Sequence, residues 1–324
     1  MFEKSALARV FFSLVVAAGV SFSAQAEQAL HKGQAPGYFR TKVGALEVTS
    51  LYDGAGAFQF DWLKGKPAAI EEIGIAATAN PHFLDGNEAG FLVNTGAKLV
   101  LVDVGAGPWF GGSAFGHLGE SLRQAGYKPE QIDMVLVTHL HSDHVGGLTS
   151  KSGERQFPNA QIYVAQAESD FWLSKEIAAG APSNAKPFFD AAQAIAAPYI
   201  KAGKWHTFQP NEKILDGMTV VPLPAHTPGH SGYQFESEGH KILFWGDTVH
   251  SINAQLPDPD VAAVFDIDVE GAIAQRTKLL EAIAGKDVLI AGPHLAFPGL
   301  GRVFKARGAY HWASTSYSNR WEER

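Results

Sequence analysis

Thr138-His139-Leu140-His141-Ser142-Asp143-His144-Val145-Gly146-Gly147 sets four metal-competent side chains within six residues, directly after an apolar run, residues 132–137, that reads as a buried strand. In an extended segment His139 and His141 point the same way and can hold one ion. Asp143 and His144 lie beyond a turn tightened by the two glycines, and can reach a second ion. A loop of histidines that merely hydrogen-bond has no need of this density.

Outward from this stretch, other polar clusters also follow strand-like segments. Residues 46–51 alternate as a strand ending at Asp53-Gly54, and residues 91–93 and 99–102 form a hairpin across Asn94-Thr95-Gly96, the second strand ending at Asp103. Residues 220–223 lead to His226. Residues 233–235 and 241–244 pair across Gly239 and end at Asp247, and residues 288–290 end near His294. Helices are expected over 115–124, 167–175 and 187–199, with a further one capped by Asp268 and reaching Ala284. Strands with helices inserted in both halves predict an α/β fold of two sheets packed face to face with helices outside, whose strand ends converge at one rim.

The 324 residues are 46% hydrophobic and 18% charged, which suits a compact fold with an ample core. The net charge of -7, with no dense lysine and arginine stripe, gives no footprint for nucleic acid. There is no cysteine, so neither a disulfide nor a thiolate is available, and any metal must be held by histidine and carboxylate. At the N-terminus Lys4 and Arg9 precede an apolar run, residues 10–20, and then Ser23-Ala24-Gln25-Ala26. This pattern predicts a secretory signal peptide, residues 1–26, followed by one domain, residues 27–324, in the periplasm or medium. The run is shorter than the roughly 20 residues a spanning helix needs, so no membrane span is expected after cleavage.

Ala225-His226-Thr227-Pro228-Gly229-His230, Phe244-Trp245-Gly246-Asp247-Thr248 and Gly292-Pro293-His294 follow the first cluster in an order that resembles the motifs of the metallo-β-lactamase superfamily. Residues 35–38, 94–96, 170–174 and 297–301 further resemble its methyl parathion hydrolases and related lactonases and aryl esterases, over nearly the whole chain after residue 26. The resemblance implies a four-layer αββα metallo-β-lactamase sandwich. It implies two divalent ions: His139, His141 and His226 on one, Asp143, His144 and His294 on the other, and Asp247 bridging both. Zinc is expected, although manganese, iron or cobalt suits the same donors. His230 is expected to support its loop and Asp103 to orient a ligand histidine through the free ring nitrogen. His31, His82, His117, His206, His240 and His311 fall outside the motifs and read as surface or hydrogen-bonded. Members of the family often dimerise, but no stretch here marks an interface.

Two close ions bring the pKa of a bridging water toward about 7, so the expected chemistry is hydrolysis by a metal-bridging hydroxide, with Asp143 and Asp247 as its carboxylates and Asp143 able to relay a proton. The resemblance places Phe58, Phe60, Phe110, Trp172, Phe188, His250 and Phe265 around the opening, with core packing as the alternative for each aromatic. At His250 the comparison suggests an apolar counterpart, and at Phe265 a smaller one. An imidazole can hydrogen-bond a lactone or ester oxygen, and a larger ring would crowd a tetrahedral phosphotriester. The small-molecule substrates expected are therefore lactones, quorum-quenching ones included, or aryl esters, with phosphotriesters weak. In the alternative, His250 faces a buried carboxylate and touches no substrate. The rival activities are a methyl parathion-type phosphotriesterase, a β-lactamase, a glyoxalase II-like thioesterase, a redox diiron protein and a metal-binding protein without turnover. The bridging aspartate counts against the β-lactamase, the lack of a basic C-terminal cluster against the thioesterase, the lack of a flavin domain against the diiron role, and the full set of seven ligands against the last.

Overall fold

Val100 and Val102 belong to one buried cluster and the intervening Leu101 to another, and Ile242 and Phe244 are divided in the same way from Leu243. Strands that are apolar on both faces must be covered on both, which fixes the layering. The computed structural model describes residues 34–65 and 83–318. The expected signal peptide, His31 and His82 lie outside the described residues.

One sheet joins β1 (Tyr38–Val43), β2 (Leu46–Gln59), β4 (Phe83–Asn94), β5 (Leu99–Val102), β6 (Met134–Leu136), β7 (Gln161–Ala165) and β8 (Trp205–Phe208) in that order, while β3 (Leu63–Lys64) pairs with β12 (Ala262–Ala263) in a small ribbon. The other sheet is ordered β15 (Ala309–Ser314), β14 (Leu300–Ala306), β13 (Val288–Ala291), β11 (His240–Phe244), β10 (Ser231–Ser237) and β9 (Met218–Pro222). Between the sheets Phe91, Val93, Val100 and Leu136 meet Tyr233, Phe235, Ile242 and Phe244.

Against the outer face of the first sheet pack α1 (Leu118–Gln124), α3 (Gln166–Trp172) and α5 (Lys186–Lys201), through residues such as Leu122, Trp172, Phe189, Ile195 and Tyr199. Against the second lies α7 (Val269–Ile283), through Leu279, Leu280 and Ile283. The result is the expected αββα sandwich. Each fully buried leucine or phenylalanine of these layers contributes about 1.5–3 kcal/mol. Among the described residues no helix is long and apolar enough to cross a membrane.

Several boundaries differ from expectation. The helix expected over 115–124 starts at Leu118, because a one-turn 3-10 segment (Gly112–Ala114) and the left-handed Gly116 precede it. The helix expected over 167–175 stops at Trp172, and α4 (Lys175–Gly180) begins afresh behind Ser174, whose side chain accepts from the Ile177 N–H. The strand expected over 46–51 runs on to Gln59, its pairing with β4 bulged between Tyr52 and Gly54. Asp268 caps α7 by accepting from the Gly271 N–H, as expected.

The topology explains the rim. β5, β6 and β7 are mutually parallel, β11 is parallel to β13, and β9 runs with β11 because both are antiparallel to β10. The segments that leave β5, β6, β9, β11 and β13 carry Asp103, His139, His226, Asp247 and His294 respectively.

Candidate metal centre

Two four-residue groups of donor atoms form at this rim, each with all its members within 4.8 Å of one another, His139, His141, His226 and Asp247 in the first and Glu88, Asp143, His144 and His294 in the second, and a group of three, Asp247, His250 and His294, joins them. Asp247 lies between them. Its Oδ2 is 3.6 Å from His139 Nε2 and 3.3 Å from His226 Nε2, while its Oδ1 is 3.1 Å from both His144 Nε2 and His294 Nε2. The seven side chains that the resemblance implies as ligands are thus brought together, in the two groups it implies.

The loops that carry them are tightly held. The one-turn helix α2 (Ser142–Val145) begins at His141 and places Asp143 and His144 on its first turn. Behind it, Gly146 is pressed so closely on the Ala106 carbonyl that a Cβ would overlap that oxygen. Ala225, which precedes His226, sits at φ 129, a sparsely populated conformation for a non-glycine residue. Hydrogen bonds from Asp268 N to its carbonyl (2.9 Å) and from its own N–H to Thr227 O (3.0 Å) impose that geometry. The buried carboxylate of Glu168 ties two ligand loops together, accepting from Leu140 N (2.9 Å), Thr227 Oγ1 (2.8 Å) and Gly229 N (2.8 Å).

The outward nitrogens of four histidines are occupied. His144 Nδ1 meets Asp103 Oδ2 at 2.9 Å, His226 Nδ1 meets Asp266 Oδ1 at 2.8 Å, and His294 Nδ1 meets the Asn87 carbonyl at 3.1 Å. His139 Nδ1 lies 3.0 Å from Thr138 Oγ1, which itself donates to Asp103 (2.7 Å). A ring that donates from Nδ1 presents the Nε2 lone pair inward, which is how carboxylate–histidine pairs prepare a metal ligand. His230 does a different job: its Nδ1 lies 2.9 Å from the Leu223 carbonyl and its Nε2 accepts from Asp247 N at 2.9 Å, so one neutral ring fastens two loops. Burial brings its pKa to about 3, which keeps it neutral.

The electrostatics suit cations. Burial, then nearby His144, holds His139 well below the ordinary imidazole value, and burial with His226 does the same for His141. Burial alone would raise the Asp247 carboxyl, but His144, His294 and His139 around it hold it well below the usual carboxylate range. His144 Nε2 and Asp247 Oδ1 are buried without hydrogen-bond partners among the described residues. His139 and His141 as neutral imidazoles, an ionised Asp247 and orphaned inward atoms are donors that divalent ions fit. Against the effect of burial, Asp247 and Glu88 raise His144 well above its ordinary value and His294 to about 10, positive charge whose place a bound ion would take.

The centre forms the floor of a cavity of about 350 Å³. Phe58, Phe110, Phe188, His250 and Phe265 line it, as expected, with His141, Asp143, His226, Asp247 and His294 below. Phe60 and Trp172 are not among its lining residues. Phe60 packs beside Phe58, Leu63, Ala254 and Val261 in a satellite cluster, and Trp172, at the end of α3, is buried against Phe171 and Phe189 with its ring edge-on to His141. Their places in the wall are taken by Trp62, 5.2 Å from Phe58 and 5.5 Å from Phe265, and by Phe115, 5.5 Å from Phe110. His250 both lines the cavity and faces the floor: its Nε2 is 3.2 Å from Asp247 Oδ2, and its ring stacks on His294 at 5.2 Å and 14°. The alternative in which it faces a buried carboxylate therefore holds geometrically, without taking it off the wall.

Sequence reading missed Glu88, Asp266 and Glu168. None lies in a motif, and the one available signal, acidic residues inside otherwise apolar surroundings, does not say which histidine or loop each will meet.

A sandwich of this layering with a two-group histidine and aspartate centre at the strand ends defines a class, and the chain belongs to it: residues 85–320 match the metallo-β-lactamase superfamily. Within that family it is similar to the hydrolase AbOPH, with 34% identity, 89% of this chain and 100% of that one covered, and a TM-score of 0.84. It is also similar to AidC, a dizinc quorum-quenching lactonase solved with the product N-hexanoyl-L-homoserine, with 28% identity, coverage of 87% and 99%, and a TM-score of 0.79. A hydroxyacylglutathione hydrolase of Aeromonas hydrophila is 31% identical over 121 residues, 37% of this chain and 35% of the relative, so the chain spans about a third of that protein's length.

Proposed function

We propose that the chain is a binuclear metal-dependent hydrolase of lactones or aryl esters, exported by its N-terminal signal, with phosphotriesters as weak substrates. The observation that carries the reading is Asp247, set between two groups of donors at the floor of an aromatic cavity.

His139, His141 and His226 with Asp247 Oδ2 would hold one ion, and Asp143, His144 and His294 with Asp247 Oδ1 the other. Two divalent ions there, zinc by preference of the donors, supply Lewis acidity and a water acidic enough to attack near neutral pH. The protein's part is positional. Asp143 borders the cavity and can pass a proton to the departing alkoxide or phenoxide. The rings of Phe58, Trp62 and Phe265 shield the floor and take an acyl or aryl group. The His250 ring, over Asp247, is within reach of an ester oxygen bound at the floor. A wall of this kind rewards flat apolar substrates, which supports lactones and aryl esters over bulkier phosphotriesters. The similarity to a dizinc lactonase points the same way.

The test is a metal-defined preparation assayed on an aromatic lactone, an aryl ester, methyl parathion and a glutathione thioester. Lactone and aryl ester turnover should dominate. His250→Leu should lower the ratio of lactone to phosphotriester kcat/KM by about tenfold or more, the effect of one lost polar contact at about 1–3 kcal/mol. A dominant phosphotriesterase or thioesterase rate in the unmodified protein overturns the substrate assignment.

A further inference from the structure

Glu88 lies on β4, just past the Phe91↔Val102 pairing, so the topology brings it to the same rim as the ligand loops. It is 1% exposed, and among the described residues neither of its carboxylate oxygens has a hydrogen-bond partner. The neighbouring imidazole does not supply one. Glu88 Oε2 is 3.1 Å from His294 Nδ1, but the hydrogen bond of that nitrogen goes to the Asn87 carbonyl. No lysine or arginine pairs with it among the described residues. The single ring that pairs with this carboxylate, His294, does not offset its burial, which raises Glu88 well above its ordinary value, and a metal ion would supply the further positive charge that keeps it ionised. Glu88 also borders the cavity and has an oxygen within 4.8 Å of donor atoms of Asp143, His144 and His294.

We propose that Glu88 is an eighth ligand, which gives the second ion a carboxylate beyond Asp143 and Asp247 and makes that position a hard site that accepts Mn²⁺. The first position has three imidazole nitrogens and a share of Asp247. The second has two imidazoles, two carboxylates of its own and the other share. Carboxylate-rich sets suit manganese, and imidazole-rich sets suit zinc, so the two halves of the centre differ in softness. The inference rests on the binuclear reading above and concerns which protein atoms hold the second ion.

The experiment strips the full-length protein with a chelator, adds one equivalent of Zn²⁺, and titrates Mn²⁺ while the electron paramagnetic resonance of the free ion is followed. Mass spectrometry of total metal gives the stoichiometry. The unmodified protein should take up one Mn²⁺ beside its retained zinc. Glu88→Gln should weaken Mn²⁺ uptake by about tenfold or more and keep the zinc equivalent, with Glu88→Asp between the two. Circular dichroism checks that the variants are folded, and the stoichiometry of the unmodified protein is a test that needs no variant. Failure of that protein to bind Mn²⁺ beside zinc, or unchanged Mn²⁺ affinity in Glu88→Gln, overturns the proposal. Lactone turnover by the dizinc protein would then leave the hydrolase reading standing. If the stripped protein binds neither ion, both readings fall.

Discussion

At the floor of the cavity three histidines are held from behind: His226 by Asp266, His144 by Asp103, and His139 by Thr138 and through it by Asp103. On the wall, Phe58, Trp62 and Phe265 meet edge to face, and Phe110 is 39% exposed. The floor is a network of directional bonds in which the position of one atom constrains the next. The wall is apolar surface, which fixes area and shape but few atoms. Chemistry that needs donors placed to a few tenths of an ångström requires the first kind of construction, and substrate choice can drift on the second.

Removal of the carboxylate shared by both halves of the floor should have the largest effect. Asp247→Asn is expected to lower bound metal from two ions to one or fewer, and lactone turnover by about 10³-fold, since several kcal/mol of transition-state stabilisation depend on the ions. Elemental analysis and steady-state rates check this. Unchanged metal content would break the picture of a shared ligand.

The supporting carboxylates sharpen the comparison within the floor. Asp103→Asn and Asp266→Asn should each weaken metal binding by about 10–100-fold, as read by competition with a chromophoric chelator. Asp103 reaches His144 directly and His139 through Thr138, so its loss should weaken both ions. Asp266, whose other oxygen accepts from Ala263 N, reaches only His226 among these histidines and should weaken one. Identical behaviour of the two variants would show that the network does not divide as the hydrogen bonds indicate.

The smallest effect is expected on the wall. Phe110→Ala should raise KM for an aryl ester by about 2–5-fold with kcat unchanged, the signature of lost uniform binding. A large fall in kcat would mean that the wall takes part in positioning after all.

Much of this could be read from the chain alone. The cluster His139 to His144, the glycines after it, and the histidines and aspartate at later strand ends are short-range patterns. Local spacing decides which side a residue points to and where a strand must end, so the first cluster and the two-sheet layering follow from the order of residues, whereas His226, Asp247 and His294 were implied by the resemblance of their motifs to those of the metallo-β-lactamase superfamily. Three things came only with the tertiary structure. Glu88 and Asp266 stand far in sequence from the histidines they meet, and Glu168 joins loops that are 28 and 61 residues away from it. Phe60 and Trp172 turned into packing while Trp62 and Phe115 became wall, because an aromatic ring gains nearly the same burial energy in either place and its sequence neighbours do not choose between them. His250 stands both over Asp247 and on the wall, a double placement set by where β11 delivers its loop against His294. Sequence by itself determined the cluster from His139 to His144, because metal ligation needs particular atoms at close spacing; the meeting of that cluster with His226, Asp247 and His294, the partners that orient these side chains, and the surface above them depend on contacts between distant segments that only folding brings together.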